Sequence, residues 1–70
     1  MSSKGATAVT GTVTEAFPDT LFKVRLPDGT ERLSYLAGKM RMHRIRVLIG
    51  DKVIVEIDPY GGKGRITKRL

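Results

Sequence analysis

The stretch Gly38–Val53, GKMRMHRIRVLIGDKV, decides how the rest of the chain is read. Lys39, Arg41, Arg44 and Arg46 place four cations within eight residues, with His43 among them and no acid. Val47, Leu48 and Ile49 then lead into a Gly50-Asp51 turn and an apolar run. One continuous helix does not suit this segment. At about 100° per residue its cations would point around the whole cylinder and leave no face to dock. The spacing instead predicts one or two helical turns from about Gly38 to His43. An extended arm follows, with Ile45 and Val47 facing inward and Arg44 and Arg46 facing out.

Strands flank this connector. Downstream, Val53, Val55 and Ile57 alternate with Ile54, Glu56 and Asp58, the period of two that marks a strand. Pro59-Tyr60-Gly61-Gly62 makes a loop, and Arg65 to Arg69 a short last strand anchored by Ile66. Upstream, Val9, Gly11 and Val13 oppose Thr10, Thr12 and Thr14 in a first strand that starts at Thr7. Gly11 predicts a bulge or sharp bend in mid-strand, and Phe17-Pro18-Asp19 ends the strand because proline cannot donate to a ladder. Phe22, Val24 and Leu26 share one face of a second strand, with Lys23 and Arg25 on the other. The Pro27-Asp28-Gly29 turn joins it to a third, in which Leu33 and Tyr35 are expected on the inner face. Residues 1–6 are small and polar and read as a flexible tail, leaving residues 7–70 as a single domain. The result is an all-β chain, a five-stranded OB-fold barrel with a short helix between strands 3 and 4. An SH3-like barrel is the alternative, and the helix after the third strand argues against it.

Seventy residues bury only about 60% of their unfolded surface, so one small core must suffice. The absence of cysteine excludes disulfides and thiolate metal sites and fits a reducing compartment. No secretory apolar run opens the sequence, and none approaches the roughly 20 residues that span a bilayer. The expectation is a cytoplasmic protein with no membrane partner. The net charge of +6 is concentrated: residues 39–46 and 63–69 hold four Lys or Arg each and no acid. The other fifty-five residues carry five bases against seven acids. Solubility alone would scatter such charge, whereas clustering is the footprint of a polyanion site.

Within those clusters, guanidiniums can grip phosphates with two hydrogen bonds and stack on unpaired bases, so Lys39, Arg41, Arg44 and Arg46 are the first RNA-binding candidates. The plain alternative is a solvated face. Lys63 and Arg65 flank Gly64 and form a second basic site where glycine would let backbone amides approach phosphate. His43 has no partner ligands for a metal and reads as stacking or simply exposed. Met40 is weighed between packing and contact. Of the four aromatics, Phe22 and Tyr35 are assigned to the core, and Tyr60, beside Lys63, is the stacking candidate. The seven carboxylates are scattered, several at turns, with no nucleophile or phosphate loop, so the chain does not read as an enzyme and no cofactor is expected.

With these residues in view, the chain resembles bacterial-type translation initiation factor 1 from about Gly11 to Arg69. The resemblance rests on GTV at Gly11–Val13, Pro18 and Phe22, GKMR at Gly38–Arg41, IRVL at Ile45–Leu48, GDKV at Gly50–Val53, and PY followed by KGRI. It implies an OB-fold monomer that binds the small ribosomal subunit at the decoding (aminoacyl) site through 16S-type rRNA and a small-subunit ribosomal protein. Members block premature tRNA entry and assist the other initiation factors. Family contact residues fall on Lys39, Met40, Arg41, Arg46, Lys63 and Arg65. Three positions depart from the family pattern: Arg44 stands where relatives often have an aromatic residue, Tyr35 stands where many have histidine, and the loop from Tyr60 to Lys63 is about one residue short. The alternatives from the residues alone are a general single-strand RNA binder or RNA chaperone of the cold-shock or S1 kind and a module for an acidic protein.

Overall fold

The structure is a computed structural model and describes residues 7–70; the expected tail at residues 1–6 lies outside the described residues. Five strands occur in chain order: β1 (Thr7–Ala16), β2 (Leu21–Arg25), β3 (Glu31–Leu36), β4 (Lys52–Ile57) and β5 (Gly64–Arg69). The helix α1 (Gly38–Met42) lies between β3 and β4. The strands close into a barrel in the order β1-β2-β3-β5-β4. Neighbours are antiparallel except β3 and β5, which run parallel with Tyr35 opposite Arg65 and Leu36 opposite Ile66. This is the OB-fold arrangement expected from the sequence.

Closure depends on β1, which is long enough to pair with both β2 and β4. Thr12 is partnered by Arg25 on one side and Lys52 on the other. The ladder to β2 shifts register between Val13 and Glu15, and the Val13 amide instead donates to the Asp51 carbonyl across 2.9 Å. The irregularity expected at Gly11 therefore lies two residues on. Gly11 serves closeness instead: a Cβ there would clash with the Val24 side chain and sit 2.8 Å from the Arg25 carbonyl oxygen.

Val13, Phe22, Val24, Leu26, Val53, Val55 and Ile66 fill the interior, joined by Met40 from the helix and Val47 from the arm. They follow the predicted alternation on β1, β2, β4 and β5. On β3 the expected register is one residue out. Leu33 and Tyr35 are 36% and 41% exposed, whereas Ser34 is completely buried. Ser34 lies opposite Gly64, where a Cβ on the glycine would sit 2.8 Å from the Ser34 oxygen. The parallel closure admits only small groups opposite Gly64, so Leu33 and Tyr35 turn outward, while Leu36, in phase with Ser34, packs against the core.

Candidate nucleic-acid interface

Helix α1 has no side-chain cap at its start; the Ala37 carbonyl accepts the amides of Met40 and Arg41 at 3.0 and 3.2 Å. Its end is better built. The Arg44 amide donates to the Arg41 carbonyl (3.2 Å) and the Ile45 amide to the Met40 carbonyl (3.0 Å), while Arg44 has a φ of 53°. This is the paired closure of a Schellman motif, with the left-handed position taken by arginine where glycine is usual. It stops the helix at once and turns the chain into an arm. Val47 is buried, the Leu48 amide donates to the Asp51 carboxylate at 2.8 Å, and the Arg69 guanidinium donates to the Arg46 carbonyl at 3.2 Å. Ile45, expected inward beside Val47, is 38% exposed.

The arm and helix wall an open groove of about 380 Å³. Phe22, Leu36, Met40, Ile45 and Val47 supply its apolar lining, and Arg41, Arg44 and Arg46 its cations. Thr20, from the β1–β2 turn, completes it with a φ of 62°. A β-branched residue at positive φ is uncommon. The only two non-glycine residues with positive φ among those described therefore line the same groove. Left-handed backbone costs about 1–3 kcal/mol and concentrates at functional sites, where the surrounding structure holds it.

Among the described residues, Lys39, Arg41, Arg44 and Arg46 have no carboxylate within ion-pair distance. Lys39 and His43 are exposed beside the groove without lining it. Met40 is 2% exposed and packs in the core while also lining the floor of the groove.

The second basic segment does not join this groove. Tyr60 is 95% exposed on a loop shaped by Asp58, whose carboxylate accepts the Tyr60 amide at 2.8 Å. Lys63 is exposed on the same loop, which the Arg32 guanidinium ties to β3 through the Gly62 carbonyl (3.1 Å). Arg65 is exposed on β5 but paired with Glu56 of β4, and so is already partly neutralised. Gly64 is buried, and a Cβ there would press on Val55 and Ser34, so close packing already requires the glycine. Tyr35, read from sequence as core, lies in register with Arg65 and faces outward, so an aromatic and a cation sit side by side on the sheet. An outward phase on β3 was the signal that could have found it, and Ser34 opposite Gly64 set that phase.

An apolar groove rimmed by unpaired guanidiniums suits phosphates and an unstacked base rather than an acid–base reaction. The comparisons agree with a factor of this type. The family model for translation initiation factor 1A / IF-1 (eIF-1a) matches residues 1–70. The solution structure of translation initiation factor 1 from the Wolbachia endosymbiont strain TRS of Brugia malayi is 39% identical. It covers 97% of this chain and 82% of that one, with a TM-score of 0.79. YjeQ from Thermotoga maritima is 26% identical with a TM-score of 0.75, covering 91% of this chain but 23% of its own. The family match over residues 1–70 and the 39% identical structure of the same fold together place this chain in the translation initiation factor 1A / IF-1 family.

Proposed function

We propose that the protein acts in the cytoplasm as a monomer that occupies the decoding (aminoacyl) site of the small ribosomal subunit. It contacts 16S-type rRNA and a small-subunit ribosomal protein, blocks premature tRNA entry and assists the other initiation factors. It works by occupancy, with no catalytic step and no cofactor. Arg41, Arg44 and Arg46 hold phosphates around the groove, Lys39 and His43 extend that contact, and Met40 fixes the helix from beneath. Tyr60, Lys63 and Arg65 make a separate contact from the β4–β5 loop and strand β5. One observation supports this most: three cations with no acidic partner among the described residues meet over an apolar groove whose two left-handed residues come from different loops. Family membership supplies the ribosomal setting.

A second reading, a general single-strand RNA binder of the cold-shock or S1 kind, draws on the outward Tyr35 beside Arg65. Such modules stack successive bases on surface aromatics. Chemical footprinting of small-subunit RNA separates the two. Protection confined to the decoding site supports the first reading. Scattered protection that short single strands compete away favours the second.

A further inference from the structure

One row of side chains crosses the outside of the barrel. Ala8 of β1 stands opposite Glu56 of β4, Glu56 opposite Arg65 of β5, Arg65 opposite Tyr35 of β3, and Tyr35 opposite Leu21 of β2. Their chain neighbours Val55, Ile66, Ser34 and Phe22 are buried, so the row itself points away from the core. At its centre an exposed tyrosine lies beside an exposed arginine, a pair on which a single-stranded nucleic acid can stack a base and rest a phosphate. Yet Arg65 already donates to the Glu56 carboxylate. Of the eight Lys and Arg in the two basic segments, it alone has an acid within ion-pair distance among the described residues.

Stability does not account for the pair, since both side chains are partly solvated and ion pairs in that setting contribute little to folding. What the pair does fix is a negative charge where a phosphate would approach Arg65. One Glu56 oxygen engages one terminal nitrogen of the guanidinium, which carries five N–H donors in a rigid fork. The remaining donors keep the direction that Glu56 gives them. A flexible strand is disfavoured by this arrangement. It must approach the carboxylate, and a preset direction gives it nothing because it can follow the arginine anywhere. Folded RNA holds its phosphates in fixed positions, so it benefits from the preset direction, which offsets the repulsion. We propose that Glu56 is a specificity-determining residue: by holding Arg65 it closes the Tyr35–Arg65 pair to flexible single strands and leaves Arg65 usable by structured RNA. Specificity is a difference of affinities, and Glu56 lowers the one for flexible strands more. The inference rests on the proposed contact of Arg65 with ribosomal RNA and adds what keeps that contact selective.

The test compares Glu56→Gln with the wild-type protein on a short fluorescent oligouridylate and on isolated small subunits, with a thermal melt of each variant. Glu56→Gln is expected to bind the oligouridylate about three- to fivefold more tightly, the scale of one exposed charge pair. Its log affinity should fall with log salt more steeply by about 0.7, one additional phosphate on a single strand. Subunit affinity should change by a smaller factor. On an Arg65→Ala or Tyr35→Ala background the same change should bring no gain of that size, because half of the freed platform is missing. An unchanged oligouridylate affinity, the same gain on either background, or an equal gain on subunits would each overturn the proposal. Wild-type protein that fails to bind subunits would instead remove the proposed function, and the oligouridylate measurements would still decide the role of Glu56.

Discussion

The amide of Ile45 donates to the carbonyl of Met40 across 3.0 Å, and this contact sets where the cationic arm begins. It closes the helix end with Met40 buried and Ile45 beside it in the groove, so core packing and arm direction are fixed together. The closure requires a left-handed residue between them, and that residue is Arg44. Its position there retains a guanidinium at the groove at a cost in backbone energy.

Replacing Arg44 separates those two effects. Arg44→Gly is expected to raise stability by about 0.5–1 kcal/mol, since glycine accepts positive φ but loses more entropy on folding. Arg44→Ala keeps the strain and should give no such gain. Both should weaken binding to isolated small subunits. Urea denaturation beside subunit binding checks the pair; a destabilised Arg44→Gly would contradict the assignment of strain.

Much of this fold was legible in the sequence because four strands obey a period of two with apolar residues inside. Strand β3 was not, because Leu33 and Tyr35 face out. The inner position belongs to Ser34, which a parallel neighbour holds against Gly64. No local pattern carries that constraint; it arises only when the barrel closes. The cations of the arm were visible as a run of charge, and the short helix followed from the impossibility of a docked face. Their convergence with Thr20 and Phe22 was hidden, since it joins segments distant in sequence through tertiary packing. The Glu56–Arg65 pairing was hidden for the same reason: it depends on the register of β4 against β5.

Arg41 and Arg46 are exposed and support little core. Arg41→Ala and Arg46→Ala should each leave the unfolding midpoint nearly unchanged and weaken subunit binding by about 1.5–3 kcal/mol, roughly 10- to 150-fold. Filter binding alongside thermal melts reads both quantities. Loss of folding in step with binding would show that these side chains act structurally.

Met40 distinguishes support from contact. Met40→Leu conserves volume and should keep both stability and binding within a small change. Met40→Ala empties a core site and should cost about 2–5 kcal/mol, a large fraction of a small domain's stability. If Met40→Leu folded normally but failed to bind, the sulfur-bearing side chain would be a direct contact after all.

Gly64→Ala should destabilise the domain, because the new methyl has no room between Val55 and Ser34. Calorimetry of the free protein checks this without any ligand. A variant that melted normally but bound poorly would restore Gly64 as a phosphate-approach residue.

The central claim is that a small barrel holds unpaired cations against structured RNA, and its most direct test is the salt dependence of binding to isolated small subunits. If about six phosphates are contacted, log affinity should fall with log salt at a slope of about −4 to −5. An affinity that stayed flat as salt rose would contradict the account.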